Sequence, residues 1–503
     1  MLNRASFAGS LFSEAPVFRS YCFDVFKYNH MDTTPKVHLV RLGKLDTMAA
    51  IFPHSGEWVF VDDLQGLDLN VHTKKIEDHF ELIPTHPLYS TVLAAVTCSD
   101  HKENSNSTPG ELDTIILKIT DRCNQACLHC YNAYENDVKS DSSIENLKIF
   151  VDESFEICGS SLNILFHGGE PLLRIDVIDE IAKYARIRGD SLGKRVGLFV
   201  QTNGSILNDH IIEILSHHDF AIGISLDGWA NLHDQMRVMS NGTGTHRLFM
   251  RSYRKYKDFL IQNSGILTTV MAKNVCKLDE ILLYVRDLGF RTWNTTLFDL
   301  NGRGELYKEA IVDSNLYCNS LEKILDLIEN GELNDIAVKP ILRHLDNLFS
   351  YQRFDMCLPG NNPCGAGNRL LSLSTNGTIF GCDIIHDHSL KLGKFPGTTL
   401  NDVRKSENAT TLYTKLRHLP YCNNCTWLGV CGGTCFARRR INAVDPVYCS
   451  VSKQINVSLL IRMAKSNKLI DWYECFPPNL RRASAIWNSR SETVKAMNLA
   501  KEV

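Results

Sequence analysis

The stretch TIILKITDRCNQACLHCYN, from Thr114 to Asn132, joins an apolar segment to a loop that carries three cysteines. The segment TIILKIT is β-branched or apolar apart from one lysine, which predicts a buried strand. The loop places Cys123, Cys127 and Cys130 at a C-x3-C-x2-C spacing. A closed structural zinc or iron–sulfur site takes four protein ligands, so three thiolates leave one coordination position open. The stretch therefore predicts a strand that ends at a reactive metal site.

The alternation of apolar strand and helix continues along the chain. After the strand at 114–120, five more are predicted at 162–169, 196–204, 221–228, 265–274 and 291–300, with the first two helices at about 142–157 and 173–188. Six apolar strands separated by helices indicate an α/β fold with parallel β/α units. In a β/α barrel the loops at the carboxyl ends of the strands converge on one face. We therefore expect the cysteine loop to meet HGGEP (167–171), TNG (202–204) and SLDG (225–228), which end the next three strands.

Composition and charge restrict the class of protein. The 503 residues are 44% hydrophobic and 22% charged, which is typical of a folded soluble protein with about two to four domains. A net charge of −3 gives no basic field for nucleic acid. No apolar run approaches the roughly 18 residues of a membrane span, and the N-terminal segment is not a secretory signal. Seventeen cysteines in such a chain indicate metal in a reducing compartment, so we expect a cytoplasmic protein without membrane or nucleic-acid partners.

Shifts in composition divide the chain into four parts. Residues 98–113 are polar and broken by Pro109-Gly110, which predicts a linker. Before it, strand-like alternation at 37–45 and 56–63 precedes a helical run with Ile76, Phe80 and Ile83 on one face. The expected parts are an N-terminal β-plus-helix module with its linker (1–112), a β/α domain (113–345), a cysteine-rich domain (346–455) and a C-terminal helical segment (456–503) interrupted at Pro477-Pro478.

The cysteine-rich part has its own spacing. It reads C-x12-G-x4-C, then C-x2-C-x5-C-x3-C, then a last cysteine, and these positions are Cys364, Gly377, Cys382, Cys422, Cys425, Cys431, Cys435 and Cys449. Seven thiolates exceed what one tetrahedral ion can bind, so at least two metal centres are predicted. A zinc ribbon is the alternative for the central four cysteines taken alone.

The three-cysteine loop and the GGEP segment together resemble the radical S-adenosylmethionine enzymes. The resemblance implies a partial (β/α)6 barrel and a [4Fe–4S] cluster on Cys123, Cys127 and Cys130, whose fourth iron binds S-adenosylmethionine. Around that molecule it implies a glycine-rich backbone, a carboxylate for the amino group and further polar side chains: Gly168, Gly169, Glu170, His167, Ser225 and Arg237. For Arg237 a surface salt bridge is the alternative interpretation. His129 stands where the family often has an aromatic residue.

The second cysteine pattern resembles the SPASM domain of radical enzymes that modify peptides and proteins. The resemblance implies two auxiliary [4Fe–4S] clusters. One would be held by Cys364, Cys382, Cys435 and an eighth ligand, for which Cys357 is well placed, and the other by Cys422, Cys425, Cys431 and Cys449. The segment after Cys382 is similar to that of the anaerobic sulfatase-maturing enzymes, in which the next residue is an aspartate that serves as general base. Asp383 matches it, and a solvated loop aspartate is the alternative.

These resemblances imply an oxidoreductase that uses a 5′-deoxyadenosyl radical to abstract hydrogen from a residue of a ribosomally made peptide or protein. A cross-link or an oxidised side chain would result, with electrons from a donor such as flavodoxin or ferredoxin. A formylglycine-generating sulfatase maturase is the alternative function. A zinc-stapled binding protein is a third hypothesis, which requires the motifs at the strand ends to be accidental.

Overall fold

A computed structural model of the chain describes its N-terminal part in pieces and most of the remainder continuously. The described residues are 18–19, 37–42, 47–51, 58–62, 73–76, 79–82, 111–132, 140–349, 365–385, 388–415, 420–422, 424–431, 433, 435, 437–438 and 445–477. Two of the expected metal ligands, Cys357 and Cys364, lie outside these residues.

The N-terminal part forms a six-stranded antiparallel sheet. Its strands are β1 (Phe18–Arg19), β2 (Val37–Arg41), β3 (Thr47–Ile51), β4 (Trp58–Asp62), β5 (Thr73–Ile76) and β6 (His79–Leu82). Their order across the sheet is β1-β4-β3-β2-β6-β5. The two segments of alternating hydrophobicity thus contain strands β2 and β4, as the sequence predicts.

The predicted helix around Ile76 and Phe80 is wrong. These residues lie in β5 and β6, which pair antiparallel with Ile76 opposite His79, while Ile83 lies outside the described residues. Strand β6 also pairs with β2. Apolar spacings of three and four residues fit a helix, but hydrogen bonds to a neighbouring strand outweigh a short local pattern.

The N-terminal sheet packs against the rest of the chain. The Nε1 of Trp58 donates a hydrogen bond to the Leu348 carbonyl at 2.8 Å, and the Trp58 ring lies 6.4 Å from that of Phe349. Val40 and Ile51 belong to the same buried apolar cluster as the strands of the large sheet. The module therefore shares its core with the β/α domain.

Seven parallel strands form the large sheet's centre. They are β7 (Leu112–Thr120), β8 (Cys158–Gly168), β9 (Arg195–Thr202), β10 (Ala221–Ser225), β11 (Ser264–Val270), β12 (Thr292–Leu297) and β13 (Ala337–Val338). They pair in chain order, with β13 at the edge. In β7 every residue except Asp113 is buried, which is typical of a parallel strand covered on both faces. The six predicted strands and the α/β class are confirmed.

Helices follow these strands. Their bounds are α1 (Ile144–Ile157), α2 (Ile175–Leu192), α3 (Asp209–His217), α4 (Ala230–His233), α5 (His246–Asn263), α6 (Leu278–Asp287), α7 (Ser314–Glu329), α8 (Lys339–Phe349), α9 (Leu400–Lys405), α10 (Glu407–Lys415), α11 (Leu428–Cys431), α12 (Pro446–Lys465) and α13 (Lys468–Glu474). Helix α1 begins where the Ser143 side chain accepts a hydrogen bond from the Asn146 amide, and α2 ends at Gly193 in the left-handed conformation. No described helix is long and apolar enough to cross a membrane.

Three strands of the cysteine-rich part extend the large sheet. They are β14 (Leu370–Leu373), β15 (Thr378–Phe380) and β16 (Gly393–Lys394). Strand β14 pairs parallel with β7, and β15 pairs antiparallel with β14. Cys382 and Asp383, which follow β15, are thereby carried close to the cysteine loop after β7.

The C-terminal part is helical through α13, as the sequence predicts, and residues from 478 onward lie outside the described part. Trp472 Nε1 donates to the Leu333 carbonyl at 2.8 Å, and the Tyr473 hydroxyl donates to Asp346 Oδ1 at 2.6 Å. These bonds fix α13 to the β/α domain. Helix α12 spans the expected division at 455, so no break in the backbone marks it.

Candidate active site

The cysteine loop leaves β7 and is held by backbone hydrogen bonds to the segment after α4. The Ala126 amide donates to the Val238 carbonyl at 2.7 Å, and the Leu128 amide donates to the Met236 carbonyl at 2.8 Å. Cys123 is exposed, whereas Cys127 and Cys130 are half-buried, and all three are free of disulfides. The loop thus presents three thiols from a fixed backbone.

Loss of hydration makes the deprotonated thiolate forms of Cys123 and Cys127 unfavourable when no metal is bound. Although Cys123 is exposed as a residue, loss of hydration around its thiol raises its pKa to about 12, with a smaller contribution from the Glu170 carboxylate. Burial also raises the pKa of Cys127 to about 11, against the opposing charge of Arg237. A cationic metal centre would reverse this preference, because it binds the thiolate. The donor set therefore fits an iron–sulfur cluster.

The described residues do not form a compact site for a single metal ion. No three of their His, Cys, Asp or Glu side chains converge closely enough to hold one.

The GGEP segment lies against the base of the cysteine loop. The Gly169 amide donates to the Thr120 carbonyl at 2.7 Å, and the Glu170 amide donates to the Arg122 carbonyl at 2.8 Å. A Cβ on Gly169 would lie 2.1 Å from the Arg122 oxygen, and one on Gly168, whose φ is +131°, would lie 2.3 Å from that of Thr120. Only glycine permits this approach at either position.

Glu170 is a buried carboxylate held from two sides. Its Oε1 accepts hydrogen bonds from Thr202 Oγ1 at 2.7 Å and the Leu172 amide at 3.1 Å, and its Oε2 accepts one from the Asn203 amide at 2.8 Å. Burial raises the pKa of Glu170 to about 7, although these hydrogen bonds oppose the shift. Oε2 keeps a lone pair for a cationic donor such as an ammonium group.

His167 and Ser225 lie at the carboxyl ends of β8 and β10, the two strands that flank β9 in the sheet. His167, near the end of β8, has a buried Nδ1 with no hydrogen-bond partner among the described residues. Burial lowers its pKa, so the ring is neutral at pH 7. The Ser225 hydroxyl, at the end of β10, accepts a hydrogen bond from Gln201 Nε2 at 3.1 Å. That His167 and Ser225 contact a bound ligand remains a prediction.

Arg237 is not in a surface salt bridge, because it is 8% exposed and pairs with the fully buried Asp227. The Nε to Oδ2 distance is 2.6 Å. Asp227 Oδ1 also accepts a hydrogen bond from the Thr269 amide at 2.8 Å. Burial pushes the pKa of Asp227 upward, but Arg237 and the neighbouring histidines hold it below its ordinary value. The pair lies close enough to the cysteine loop for both of its charges to act on Cys127, and each charge offsets the other.

Asp383 is not a solvated loop side chain either. Its Oδ2 accepts a hydrogen bond from the Tyr131 hydroxyl at 2.7 Å, and its Oδ1 faces Cys382 Sγ at 3.4 Å. Burial acts to raise its pKa, but His167, Lys118 and the Tyr131 hydrogen bond together lower it. The Asp383 carboxylate is thus ionised at neutral pH, and it lies beside Tyr131, the residue that follows Cys130.

The sequence interpretation missed three residues around Asp383. Tyr131 bonds it directly, and Lys118 Nζ donates to its carbonyl at 2.9 Å and to Asn132 Oδ1 at 2.7 Å. Asn132 in turn donates to the Gly168 carbonyl at 3.1 Å. The signals were a lysine inside an apolar strand and two polar residues directly after the last cysteine. Their partner could not be identified, because Asp383 is 252 positions from Tyr131 in the sequence.

Arg303 was also missed. Its amide donates to the Cys130 carbonyl at 3.1 Å, and its charge lowers the pKa of Cys127, against burial, which raises it. The preceding Gly302 is in the left-handed conformation, and a Cβ there would lie 2.6 Å from the Cys130 oxygen. The loop after β12 therefore closes over the cysteine loop.

The described cysteines of the second pattern are thiols rather than disulfides. Cys382 is buried, and the others are half-buried: Cys422, Cys425, Cys431, Cys435 and Cys449. Cys449 lies in the first turn of α12, and burial together with the nearby Cys431 and Cys425 raises its pKa. These three thiols are neighbours, which fits the second expected ligand set.

Comparisons with known proteins agree with this arrangement. Residues 117–285 match the radical SAM superfamily. The cysteine-type anaerobic sulfatase-maturating enzyme of Clostridium novyi (strain NT) is 25% identical over 378 residues, which cover 71% of this chain and 98% of that protein. Mycofactocin maturase MftC of Mycobacterium tuberculosis is 26% identical over 329 residues, which cover 64% of this chain and 78% of that protein.

A solved structure shares the fold. That of native anSMEcpe with bound AdoMet superposes with a TM-score of 0.61 at 17% identity, covering 72% of this chain and 99% of the other. The superposition extends well beyond the residues that match the superfamily. The chain therefore contains a radical SAM domain at residues 117–285.

Proposed function

We propose that the chain is a radical S-adenosylmethionine maturase that modifies a residue of a ribosomally made peptide or protein. The observation that carries the proposal is the meeting of three distant segments at one end of the parallel sheet. Asn132 bonds Gly168, and Tyr131 bonds Asp383. Three loop thiols, a buried carboxylate and a further cysteine beside an ionised base are thus within one site.

Cys123, Cys127 and Cys130 would hold the [4Fe–4S] cluster that binds S-adenosylmethionine. When bound and reduced, this group supplies a 5′-deoxyadenosyl radical that abstracts hydrogen from the substrate. Glu170 would accept a hydrogen bond from the amino group of S-adenosylmethionine, with Gly168 and Gly169 giving its backbone close access. His167, Ser225 and Arg237 would surround the same molecule.

The SPASM-type part would hold two auxiliary [4Fe–4S] clusters. Cys357, Cys364, Cys382 and Cys435 form one proposed ligand set. The other proposed set is Cys422, Cys425, Cys431 and Cys449, and it is supported by the proximity of Cys449 to Cys425 and Cys431. The proposed domains are 113–345 for the barrel and 346–455 for the auxiliary clusters, flanked by 1–112 and 456–503.

Asp383 would act as the base that removes a proton from the substrate. Its ionised state and its position next to Cys382 support this role, because a carboxylate beside an electron acceptor can take the proton as the electron leaves. The Tyr131 hydroxyl holds the carboxylate in one orientation. Electrons would come from a cytoplasmic donor such as flavodoxin or ferredoxin.

The substrate class has two candidates. The N-terminal sheet favours a peptide with a leader segment, because a leader can add a strand to the edge of a sheet. Asp383 beside Cys382, and the similarity to a sulfatase-maturating enzyme, favour the second candidate, a formylglycine-generating sulfatase maturase.

Mass spectrometry separates the two. The reduced, iron-loaded protein would be incubated with S-adenosylmethionine and either a short peptide encoded beside its gene or a sulfatase-type cysteine peptide. A cross-link removes hydrogens only, whereas formylglycine formation also replaces the cysteine sulfur with an aldehyde oxygen, while the carbon keeps one hydrogen. We expect the first result with the gene-encoded peptide. Modification of the sulfatase-type peptide alone would establish the alternative.

A further inference from the structure

A lysine lies inside the first strand of the large sheet, where the proposed mechanism gives it no role. Lys118 is 5% exposed, although strand interiors of this kind are normally apolar. Its Nζ donates hydrogen bonds to Asn132 Oδ1 at 2.7 Å and to the Asp383 carbonyl at 2.9 Å. Asn132 follows Cys130 by two residues, and Asp383 follows Cys382 by one. The ammonium group therefore joins the two loops that carry these cysteines.

Burial and the nearby acidic groups act on the charge of Lys118 in opposite directions, and burial has the larger effect. Burial lowers its pKa, but the acidic groups that act on it all oppose the shift, and they are Asp383, Cys382, Asp121 and Cys130. Of the two cysteines, Cys382 acts more strongly than Cys130. A buried ammonium group interacts with such neighbours through a low local dielectric, so its charge is felt over several ångströms with little screening.

We propose that Lys118 is a positioning residue whose ammonium group holds the Cys130 and Cys382 loops together and whose charge favours the reduced state of the clusters bound there. This inference rests on the proposed function, because it requires a cluster on each loop. One-electron reduction adds one negative charge to a cluster and takes up no proton at Lys118. A fixed positive charge nearby stabilises that added charge. The change in reduction potential should be larger for the cluster on Cys382. The ammonium group bonds Asp383, one residue from Cys382, whereas on the other loop it bonds Asn132, two residues from Cys130.

Potentiometric titration of the anaerobically reconstituted full chain, followed by electron paramagnetic resonance, tests this inference without a substrate. Dithionite supplies the electron. The signal that changes when S-adenosylmethionine is added reports the cluster on the cysteine loop, and a variant with alanine at Cys123, Cys127 and Cys130 retains only the auxiliary signals. Midpoint potentials would be compared for wild type, Lys118→Met, Lys118→Arg and, as a matched control, Lys148→Met. Lys148 lies on α1 and pairs with Glu180 away from the site.

We expect Lys118→Met to shift the potential of the Cys382 cluster to more negative values, with a smaller shift in the same direction for the cysteine-loop cluster. Lys118→Arg keeps the charge and should keep the wild-type potentials, as should Lys148→Met. Unchanged potentials in a fully iron-loaded Lys118→Met protein would overturn the inference.

A Lys118 variant that fails to assemble its iron–sulfur clusters also tests the inference. If Lys118→Met fails to load iron, Lys118→Gln, which retains a hydrogen-bond donor without the charge, takes its place in the titration. Assembly by Lys118→Arg alone would support the role of the ammonium group in holding the loops. Wild-type protein that assembles no cluster at either loop would instead contradict the proposed function itself, so the two failures are distinguishable.

Discussion

At the scale of single residues, the site depends on groups whose partners are far apart in sequence. The glycines of GGEP could be recognised from the sequence, because their place at a strand end indicates close backbone approach. The bonds of Tyr131 and Lys118 to Asp383 could not, because they depend on β14 pairing with β7. The interpretation of Arg237 as a surface contact is wrong because both Arg237 and its partner Asp227, ten residues away, are buried, and a short sequence separation does not reveal burial.

Gly169→Ala should strongly lower the rate of S-adenosylmethionine cleavage. The added methyl group would meet the Arg122 carbonyl at 2.1 Å, and backbone hydrogen bonds leave that oxygen little freedom to move, so the cysteine loop must shift. We expect at least about a tenfold loss of 5′-deoxyadenosine formation, since small displacements at a reacting site are costly. Gly193→Asn is the control, because nothing lies within 4 Å of an added Cβ there and asparagine tolerates the left-handed conformation of this residue. Wild-type activity in Gly169→Ala would show that the loop position is not critical.

Asp383→Ala should lower product formation by about 100-fold or more while S-adenosylmethionine is still cleaved, as expected for loss of a general base. The measurement is product and 5′-deoxyadenosine in the same reaction, by mass spectrometry. Asp335→Ala, which removes an exposed carboxylate paired with Arg291, is the matched control. An unchanged ratio of product to 5′-deoxyadenosine would rule out the base role.

Glu170 should make the metal-free protein less stable as the pH rises. Its folded pKa of about 7 lies above the ordinary 4.5, so the folded state favours the protonated form. This contribution to the free energy of unfolding is complete below about pH 4.5 and is lost as the pH rises through 7, by about 3 kcal/mol in all. Glu170→Gln lacks the titration. The difference in urea midpoint between the two proteins should therefore change across this range, and a pH-independent difference would contradict the assignment.

At the scale of elements, the strand and helix pattern of the β/α domain was predictable because each strand is a continuous apolar run with a helix after it. The N-terminal hairpin was not predictable, because β5 and β6 are short and are held in the sheet by the pairing of β6 with β2. The sequence also did not predict that strands β14, β15 and β16 extend the large sheet. A strand of four residues carries no mark of which sheet it joins.

The edge strand β5 offers a test of leader binding. It has one partner, β6, among the described strands. Neighbouring residues of a strand point their amides to opposite sides, so either Lys74→Pro or Lys75→Pro removes a donor from the open edge. We expect one of the two to weaken binding of the gene-encoded peptide, measured by fluorescence anisotropy, with 5′-deoxyadenosine formation unchanged. Equal, wild-type binding by both would exclude strand addition at this edge.

At the scale of the whole molecule, the N-terminal sheet and the cysteine-rich part are both joined to the β/α domain by hydrogen bonds. Trp58 ties the N-terminal sheet to α8, and β14 ties the cysteine-rich part to β7. The pairing of β14 with β7 places the loops that carry Cys130 and Cys382 next to the buried Lys118. The sequence motifs predict which cysteines bind metal, while the arrangement of the parts determines which loops meet.

The central claim is tested most directly by 5′-deoxyadenosine formation from S-adenosylmethionine. The anaerobically reconstituted, dithionite-reduced protein would be compared with the variant that carries alanine at Cys123, Cys127 and Cys130. We predict formation by the wild type and none by the variant, whose auxiliary cysteines are intact. If fully iron-loaded wild type forms none, with the gene-encoded peptide present or absent, or if the variant forms as much, the cysteine loop does not initiate radical chemistry and the proposed function is wrong.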